Sequence, residues 1–408
     1  MPTYEAPGVY VEETPLTPTI VGVGTSTAAF IGIVPDDIIM PLDPTDPTGQ
    51  GRLTVAEAQK PVLLTSFDDY TRSFGDFQEW DSVNPVAPAN QVLAHSVYGF
   101  FLNGGSACYV ARVTAMGAVP DIEPVLEKFA AIDEIALVAA PGLLDTTMQA
   151  EIINHCASET LQDRFAIIDG QPNPAAITDA AIKGELDGTD PGKSDYAAIY
   201  FPYITVANRE PKAPDTARTL NLPPSGFIAG IYARVDNARG VHKAPANEGV
   251  RGAIGVARQV TKAEQALVNR NGINVIRQLN GSILVWGART LGSIDSEKIA
   301  YINVRRLLIF LRESIDEGTQ FAVFEPNSQP LWATIIRSVS GLLTRVWRDG
   351  ALFGVVPEQA FYVKCDASTN PPDIREIGQV ITEIGVAPVK PAEFVIFRIA
   401  QFPEIPAS

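Results

Sequence analysis

Four hundred and eight residues, 46% of them hydrophobic and 19% charged, are enough for two or three domains with real cores and exclude a disordered or collagen-like chain. The formal net charge of −16 is unevenly spread: residues 1–250 hold 14 Lys and Arg against 32 Asp and Glu, whereas residues 251–408 hold 17 against 15. Phosphate contacts need Lys and Arg, so a chain this acidic is not expected to bind nucleic acid directly, and its near-neutral back portion is expected to meet something else.

The chain opens on an arm. Tyr4 to Glu13 reads as extended, because Pro7 and Gly8 block a helix while Val9, Tyr10 and Val11 favour strand. Pro15 and Pro18 follow, then a Gly/Thr-rich strand over 20–33. Pro35, Pro41, Pro44 and Pro47 mark 35–51 as a surface connection. Residues 62–64 form a short strand, and Ser66 caps a helix that Gly75 stops. A helix over 91–102 ends at Asn103-Gly104-Gly105 and leads into a strand over 107–113. Strand 135–139, helix 146–160 and strand 165–168 make a βαβ-like unit, for which parallel pairing is expected. A further strand covers 196–206.

From Pro223 the texture changes. Thr261-Lys262-Ala263-Glu264 matches a capping box, and Asn271-Gly272 closes the helix it opens. Runs 273–279 and 282–286 flank Asn280-Gly281, the strongest short hairpin signal. Residues 299–315 are apolar nearly all round and predict a buried helix stopped at Gly318, followed by a strand over 321–324. At about 100° per residue, Trp332, Ile335, Ile336, Val339, Leu342, Leu343 and Val346 fall between about 140° and 260° from Arg337. Arg337, Arg348 and Arg345 lie at about 0°, 20° and 80°, so residues 331–349 form one amphipathic helix with an arginine stripe on its outer face. Strands close the chain at 360–365, 378–386 and 393–402. In the last, Phe394, Val395, Ile396, Phe397 and Ile399 are apolar on both faces and expect cover on both sides.

No constellation for chemistry emerges. Cys108, Cys156 and Cys365 are odd in number and scattered, which suits neither a disulfide framework nor zinc. No signal peptide is read at the N-terminus, and no apolar run approaches the length of a membrane helix. Gly22-Val23-Gly24 begins like a dinucleotide fingerprint, but Thr27 stands at the third glycine position. Gly188 to Gly192-Lys193-Ser194 lacks one residue of phosphate-loop spacing. His155 and Cys156 point about 100° apart on a helix, and His95 and His242 have no ligand-spaced partner. Ser225 reads as a helix cap. Asp169 sits where an α/β enzyme or ligand-binding domain would place a functional carboxylate, although a turn-forming Asp-Gly is the favoured explanation. No cofactor, metal or catalytic residue is expected.

Several runs are nonetheless distinctive: Trp286-Gly287-Ala288-Arg289-Thr290-Leu291, Tyr301-Ile302-Asn303-Val304-Arg305-Arg306, Phe324-Glu325-Pro326-Asn327, Trp347-Arg348-Asp349-Gly350-Ala351-Leu352 and Pro391-Ala392-Glu393-Phe394. With Pro7-Gly8-Val9-Tyr10-Val11-Glu12-Glu13 and Lys243-Ala244-Pro245-Ala246-Asn247, the chain resembles the sheath proteins of contractile phages, phage-like bacteriocins and extracellular contractile injection systems. The resemblance implies an α+β protein. Its inner α+β domain would combine the N-terminal segment (1–35) with the C-terminal third (251–408), and an α/β-like outer domain (36–250) would be inserted between them. It also implies a structural function without catalysis: a helical stack of six-membered rings around an inner tube, assembled extended and metastable, that contracts to drive the tube through a target envelope. Implied partners are further copies of the chain, the inner tube protein, baseplate and tail-terminator proteins and, in some systems, sheath paralogues, with no membrane insertion. Assembly would take place in the bacterial cytoplasm, within a phage tail or a tail-like particle that is later released.

Cohesion of such an array has a physical reading. Two apolar terminal strands without partners in their own chain are what strand addition to neighbours requires, which assigns Val9, Tyr10, Val11, Phe394, Val395, Ile396, Phe397 and Ile399 to inter-subunit strand exchange. An arm of about ten residues gains about five hydrogen bonds worth roughly 1 kcal/mol each, less than the roughly 1–2 kcal/mol per residue of ordering. Burial of Val9, Val11, Val395, Phe397 and Ile399, at roughly 1.5–3 kcal/mol each, must tip the balance. A heterologous contact repeated with rotation and rise gives an open helix. Arg337, Arg345 and Arg348 are expected to face an acidic tube surface.

Overall fold

The computed structural model describes residues 19–78, 89–184, 186, 193–210, 218–294, 300–394 and 396. Helices and strands are both abundant and the main sheet is mixed, which gives the α+β class. The described residues divide into two compact units, a smaller one drawn from 19–23 and 311–387 and a larger one drawn from 24–310 and 388–396.

The larger unit is built on a nine-stranded sheet. Its strands begin with β1 (Ala28–Ile33), β2 (Val62–Leu64), β3 (Cys108–Val113), β4 (Leu137–Ala139), β5 (Phe165–Asp169) and β6 (Ala197–Phe201). Then β7 (Ile204–Ala207) and β8 (Thr219–Leu222) leave the main sheet and join β10 (Ala253–Val256) in a three-stranded one. With β9 (Glu248–Gly249), β11 (Ile273–Leu279) and β12 (Ser282–Val285), the main sheet has the order β2-β3-β1-β4-β5-β6-β11-β12-β9. Neither residue 35 nor residue 250 bounds this sheet, since β1 lies inside it and β11 and β12 extend it.

The parallel pairing expected of the βαβ unit is present, with Leu137 opposite Phe165, and β3, β1, β6 and β11 run the same way. Successive strand residues point to opposite faces. Phe30, Val110, Leu137, Phe165, Ile167 and Tyr200 pack on one face, beneath helices Ala89–Asn103 and Ser225–Arg239. Ala29, Ile31, Ala111, Val138, Ala166, Ile168 and Ile199 pack on the other, beneath helices Val119–Ala130 and Thr146–Ala157. Cover on both faces is why these strands read as apolar runs rather than alternations. The Asn280-Gly281 hairpin joins β11 to β12, both turn residues at positive φ (50° and 81°) as a type I′ turn requires.

In the smaller unit, helix Gln329–Arg348 buries Trp332, Ile335, Val339, Leu342, Leu343 and Val346, the face given by the angular arithmetic. Beside it stands an antiparallel ladder of β13 (Phe361–Lys364) and β14 (Glu383–Val386).

Five expectations need correction. The strand over 378–386 is confined to β14, because Gly378 stands in a turn at a positive φ of 79°. The strand placed over 20–33 begins only at Ala28, because Ser314 and Arg345 side chains take the Val23 N–H and the Ile20 carbonyl that a ladder would use. The strand over 196–206 is two, broken at the cis Phe201–Pro202 bond, where proline brings no N–H to the ladder. Residues 321–324 are not a strand: Gln320–Ala322 is a 3₁₀ turn, and Phe324 has a positive φ of 66°. Ser225 does not cap its helix but is the helix's first residue. Helix Val119–Ala130 is missing from the sequence reading: Ile122, Val125, Leu126 and Phe129 carry helical spacing, but Pro120 and Pro124 argue locally against a helix.

Candidate assembly surfaces

Asp169, at the end of β5, is the buried carboxylate that a catalytic reading would need, and its environment gives it a structural task. Oδ1 accepts from the Ser225 backbone N–H (2.9 Å), while Oδ2 accepts from the Ser225 hydroxyl (2.7 Å) and the Gly142 N–H (3.1 Å). It thus serves as an N-cap supplied from a strand to the helix Ser225–Arg239, whose own N-cap position is Pro224 and offers no side-chain bond. Asp169 is neither a turn former nor a free acid. Among the described residues no group of three or more His, Cys, Asp or Glu could hold a metal ion, and the three cysteines are free and buried. His155 is held down at about 4, chiefly by burial and then by the Arg164 charge.

The arginine stripe is present as drawn. Arg337, Arg345 and Arg348 are exposed along helix Gln329–Arg348, opposite its buried face. Arg345 does more than the stripe required: its Nη2 donates to the Ile20 carbonyl. The Ile20 side chain is 1% exposed and lies against Gly318, and the Val23 N–H donates to Ser314 Oγ at 3.1 Å. The chain emerging from residues 1–18 is therefore held at its base by three separate contacts.

The β13–β14 ladder is a second surface. Neither strand has another neighbour among the described residues, so each keeps an unpaired edge. Around it Phe353 (74%), Val355 (86%) and Tyr362 (58%) are largely exposed.

The third lies in the larger unit, where the distinctive runs converge. Glu393 accepts from Arg289 Nη2 (2.6 Å) and Nε (3.0 Å), from the Tyr301 hydroxyl (2.8 Å) and from Asn269 Nδ2 (2.5 Å). Arg289 belongs to the Trp286–Leu291 run, Tyr301 to the Tyr301–Arg306 run and Glu393 to the Pro391–Phe394 run. Asn303 adds a bond to the Val389 carbonyl (3.3 Å). Immediately beyond this grip Phe394 is 74% exposed and Ile396 79% exposed. The other residues assigned to strand exchange, Val9, Tyr10, Val11, Val395, Phe397 and Ile399, lie outside the described residues. The sequence singled out these runs without their roles; a charged residue in each was the available signal.

Comparison with known proteins bears on these surfaces. The family described as phage tail sheath protein central domain matches residues 118–291, and the phage tail sheath C-terminal domain matches residues 295–402. A chain of the anti-feeding prophage baseplate, solved 6-fold symmetrised, is 31% identical over 98% of this chain and 99% of that one, with a TM-score of 0.72. The chain belongs to the phage tail sheath family.

Other sheath relatives extend the likeness. A chain of the PVC extracellular contractile injection system sheath complex, in its contracted state, is 28% identical over 98% of this chain and 99% of that one (TM-score 0.73). The helical sheath of the anti-feeding prophage, also contracted, is 30% identical over 98% and 100% (TM-score 0.70). The tail sheath protein of Vibrio phage KVP40 is 22% identical over 276 residues, 65% of this chain and 40% of that protein. That of Burkholderia phage BcepMu is 28% identical over 198 residues, 46% and 39%. The match thus spans less than half the length of these phage sheaths but nearly all of the injection-system chains. Both family domains contain residues that grip Glu393: Arg289 falls in the central one, Tyr301 and Glu393 in the C-terminal one.

Proposed function

We propose that this sheath chain polymerises as a helical stack of six-membered rings around an inner tube and contracts to drive that tube through a target envelope. The observation that carries the reading is end-to-end likeness to sheath chains solved in contracted assemblies. The role is structural rather than enzymatic, and Asp169, the one buried carboxylate at a strand end among the described residues, is fully engaged in capping.

Cohesion comes from exchanged ends. Val9, Tyr10 and Val11 of one copy, and Phe394, Val395, Ile396, Phe397 and Ile399 of another, add as strands to a neighbour, with apolar burial outweighing the ordering cost. The β13–β14 ladder, with its unpaired edges and exposed Phe353, Val355 and Tyr362, is the acceptor of suitable chemistry. The Glu393 grip fixes the root of the C-terminal arm, and Arg345 fixes the root of the N-terminal one. Arg337, Arg345 and Arg348 face an acidic inner tube. Baseplate and tail-terminator proteins cap the array, sheath paralogues are candidate co-assembling partners, and the particle is assembled in the bacterial cytoplasm.

Negative-stain microscopy of the purified chain tests the reading. Long tubular polymers are expected, whereas a single closed particle or a stable monomer under all conditions overturns it. Deletion of residues 1–14 is expected to leave a soluble monomer, and normal tubes after that deletion would rule out exchange of the N-terminal arm.

A further inference from the structure

In the smaller unit the Phe324 side chain is fully exposed, and Val323 beside it is 56% exposed. Its φ of 66° lies in the left-handed region, which a bulky residue keeps only where its surroundings hold it there. The turn supplies that hold. The Glu325 N–H donates to the Ala322 carbonyl at 3.3 Å, and the Ala322 N–H to the Thr319 carbonyl at 2.9 Å. Asn327 is fixed on both sides, its Oδ1 accepting from Trp332 Nε1 at 2.9 Å and its Nδ2 donating to the Gln379 carbonyl at 2.8 Å. The Phe324-Glu325-Pro326-Asn327 run thus aims a rigidly held ring at solvent, and no described residue covers it. Asp316, Glu317 and Glu325, all exposed, give the surrounding stretch a negative charge.

We propose that Phe324 is a knob that seats on the larger unit of a second copy, on the patch formed by Leu267 and Trp286. The inference rests on the reading of the chain as a helical polymer and adds a contact other than the exchanged ends. The patch has the complementary chemistry. Leu267 is 66% exposed on helix Lys262–Asn269, and Trp286 is 39% exposed. Gln265 Nε2 donates to the Trp286 carbonyl at 2.7 Å, which sets Trp286 beside that helix. At about 100° per residue, Lys262, Ala266, Arg270, Ala263 and Leu267 fall within about 140° of one another, and all are exposed. Two small residues leave room for a ring, and a positive charge stands at each end of the stripe. An acidic knob is drawn to such a rim, whereas the acidic tube met by the arginine stripe repels it. Knob and patch are different surfaces of one chain, so the contact is heterologous, and its repetition gives an open helix rather than a closed dimer. A held ring loses little freedom on docking, which is the property of an interface anchor.

The test follows polymerisation of the full-length chain. Phe324→Ala is expected to raise the critical concentration for tubes about tenfold or more while the thermal midpoint of the free subunit does not fall. Glu325→Lys and Lys262→Glu are each expected to weaken assembly, and the two together to restore part of the loss. A thiol readout is independent of these affinities, because the three native cysteines are buried. Phe324→Cys, co-polymerised with an excess of the unaltered chain, is expected to react with maleimide about tenfold more slowly in tubes than as free subunit. Equal labelling in both states, or an unchanged critical concentration in Phe324→Ala, overturns the knob and leaves the polymer reading standing. Charge reversals that fail to compensate overturn the patch as its seat. Absence of tubes from the unaltered chain overturns the polymer reading, and the knob with it.

Discussion

Arg289 holds Glu393 in a two-point ion pair, Nη2 to Oε2 at 2.6 Å and Nε to Oε1 at 3.0 Å, across 104 residues of sequence. The pair is mostly shielded, and Tyr301 and Asn269 occupy further lone pairs of the carboxylate. Burial works to raise the Glu393 pKa, but the bonds from Arg289, Asn269 and Tyr301 and the Arg289 charge outweigh it and leave the group below its ordinary 4.5. Glu393→Gln is expected to cost about 1–2 kcal/mol locally and to make the chain beyond residue 393 more sensitive to protease. The sign with pH follows from a depressed folded pKa: the grip is at full strength above 4.5 and is lost as pH falls through the lower folded value. Protease sensitivity that is unchanged in Glu393→Gln would show that the grip does not set the root of the C-terminal arm.

Asp169 has the opposite sign. Burial is the largest influence and pushes its pKa up to about 6, against the bonds from Ser225 and Gly142 that favour the charged form. Unfolded, the group titrates near 3.8. Between those values the folded chain holds a proton that the unfolded chain has released, so this residue adds stability as pH falls from above 6 towards 3.8. Asp169→Ala leaves three donors without their acceptor. It is expected to lower the unfolding free energy of its unit by about 2–4 kcal/mol at neutral pH. In urea titrations the difference between the unaltered chain and the variant should widen between pH 6 and 4. A difference independent of pH would refute the assignment.

Much of this was legible in the sequence, and the failures have physical causes. Local signals carried through: the Thr261–Glu264 capping box is present, with both bonds made, and the arginine stripe follows from helix geometry alone. What failed depended on distant partners. Nothing near Asp169 says that its acceptors serve Ser225, 56 residues away, and Ser225 could not reveal that its cap comes from a strand. Arg306, read within a buried helix, gave no sign of Asp236. Sheet order is equally non-local: β11 lies beside β6 because of pairing that no short window contains.

Helices Ala89–Asn103 and Ser225–Arg239 cross with Gly99, Gly226 and Gly230 at the contact. A Cβ on Gly226 would stand 2.6 Å from the Ser96 carbonyl oxygen, and one on Gly230 would meet the Phe100 carbonyl oxygen. In a free helix, Gly to Ala gains about 1 kcal/mol of propensity. Here backbone must move to admit the methyl, at about 1–3 kcal/mol, so Gly230→Ala is expected to destabilise on balance. A rise in thermal midpoint would show that the helices can separate without penalty.

Reversal of the stripe, Arg337→Glu with Arg345→Glu and Arg348→Glu, changes the local charge by six while touching none of the helix's buried face. Helix content and solubility are expected to persist, and co-assembly with the inner tube protein to be abolished. Tubes of normal length around that partner would remove the stripe from the interface.

Arg306 and Asp236 form a buried pair, with side chains 4% and 3% exposed and Nη2 2.6 Å from Oδ2. The pair is closed on every side. Arg306 Nη1 reaches Oδ1 at 2.9 Å, its Nη2 also reaches the Thr25 carbonyl at 2.8 Å, and the Thr25 hydroxyl donates to Asp236 Oδ2 at 2.7 Å. The guanidinium lies 4.7 Å from the Tyr232 ring centre. Removing one partner strands a charge out of water, so Arg306→Met is expected to cost about 3–5 kcal/mol. Arg306→Met with Asp236→Leu strands no charge and should recover most of that loss, Thr25 alone being left with bonds to replace. Denaturant titration of the four members of the cycle measures the coupling directly. If the double variant is as unstable as the two single losses added together, the pair acts through packing rather than charge, and the ionic account of this site fails.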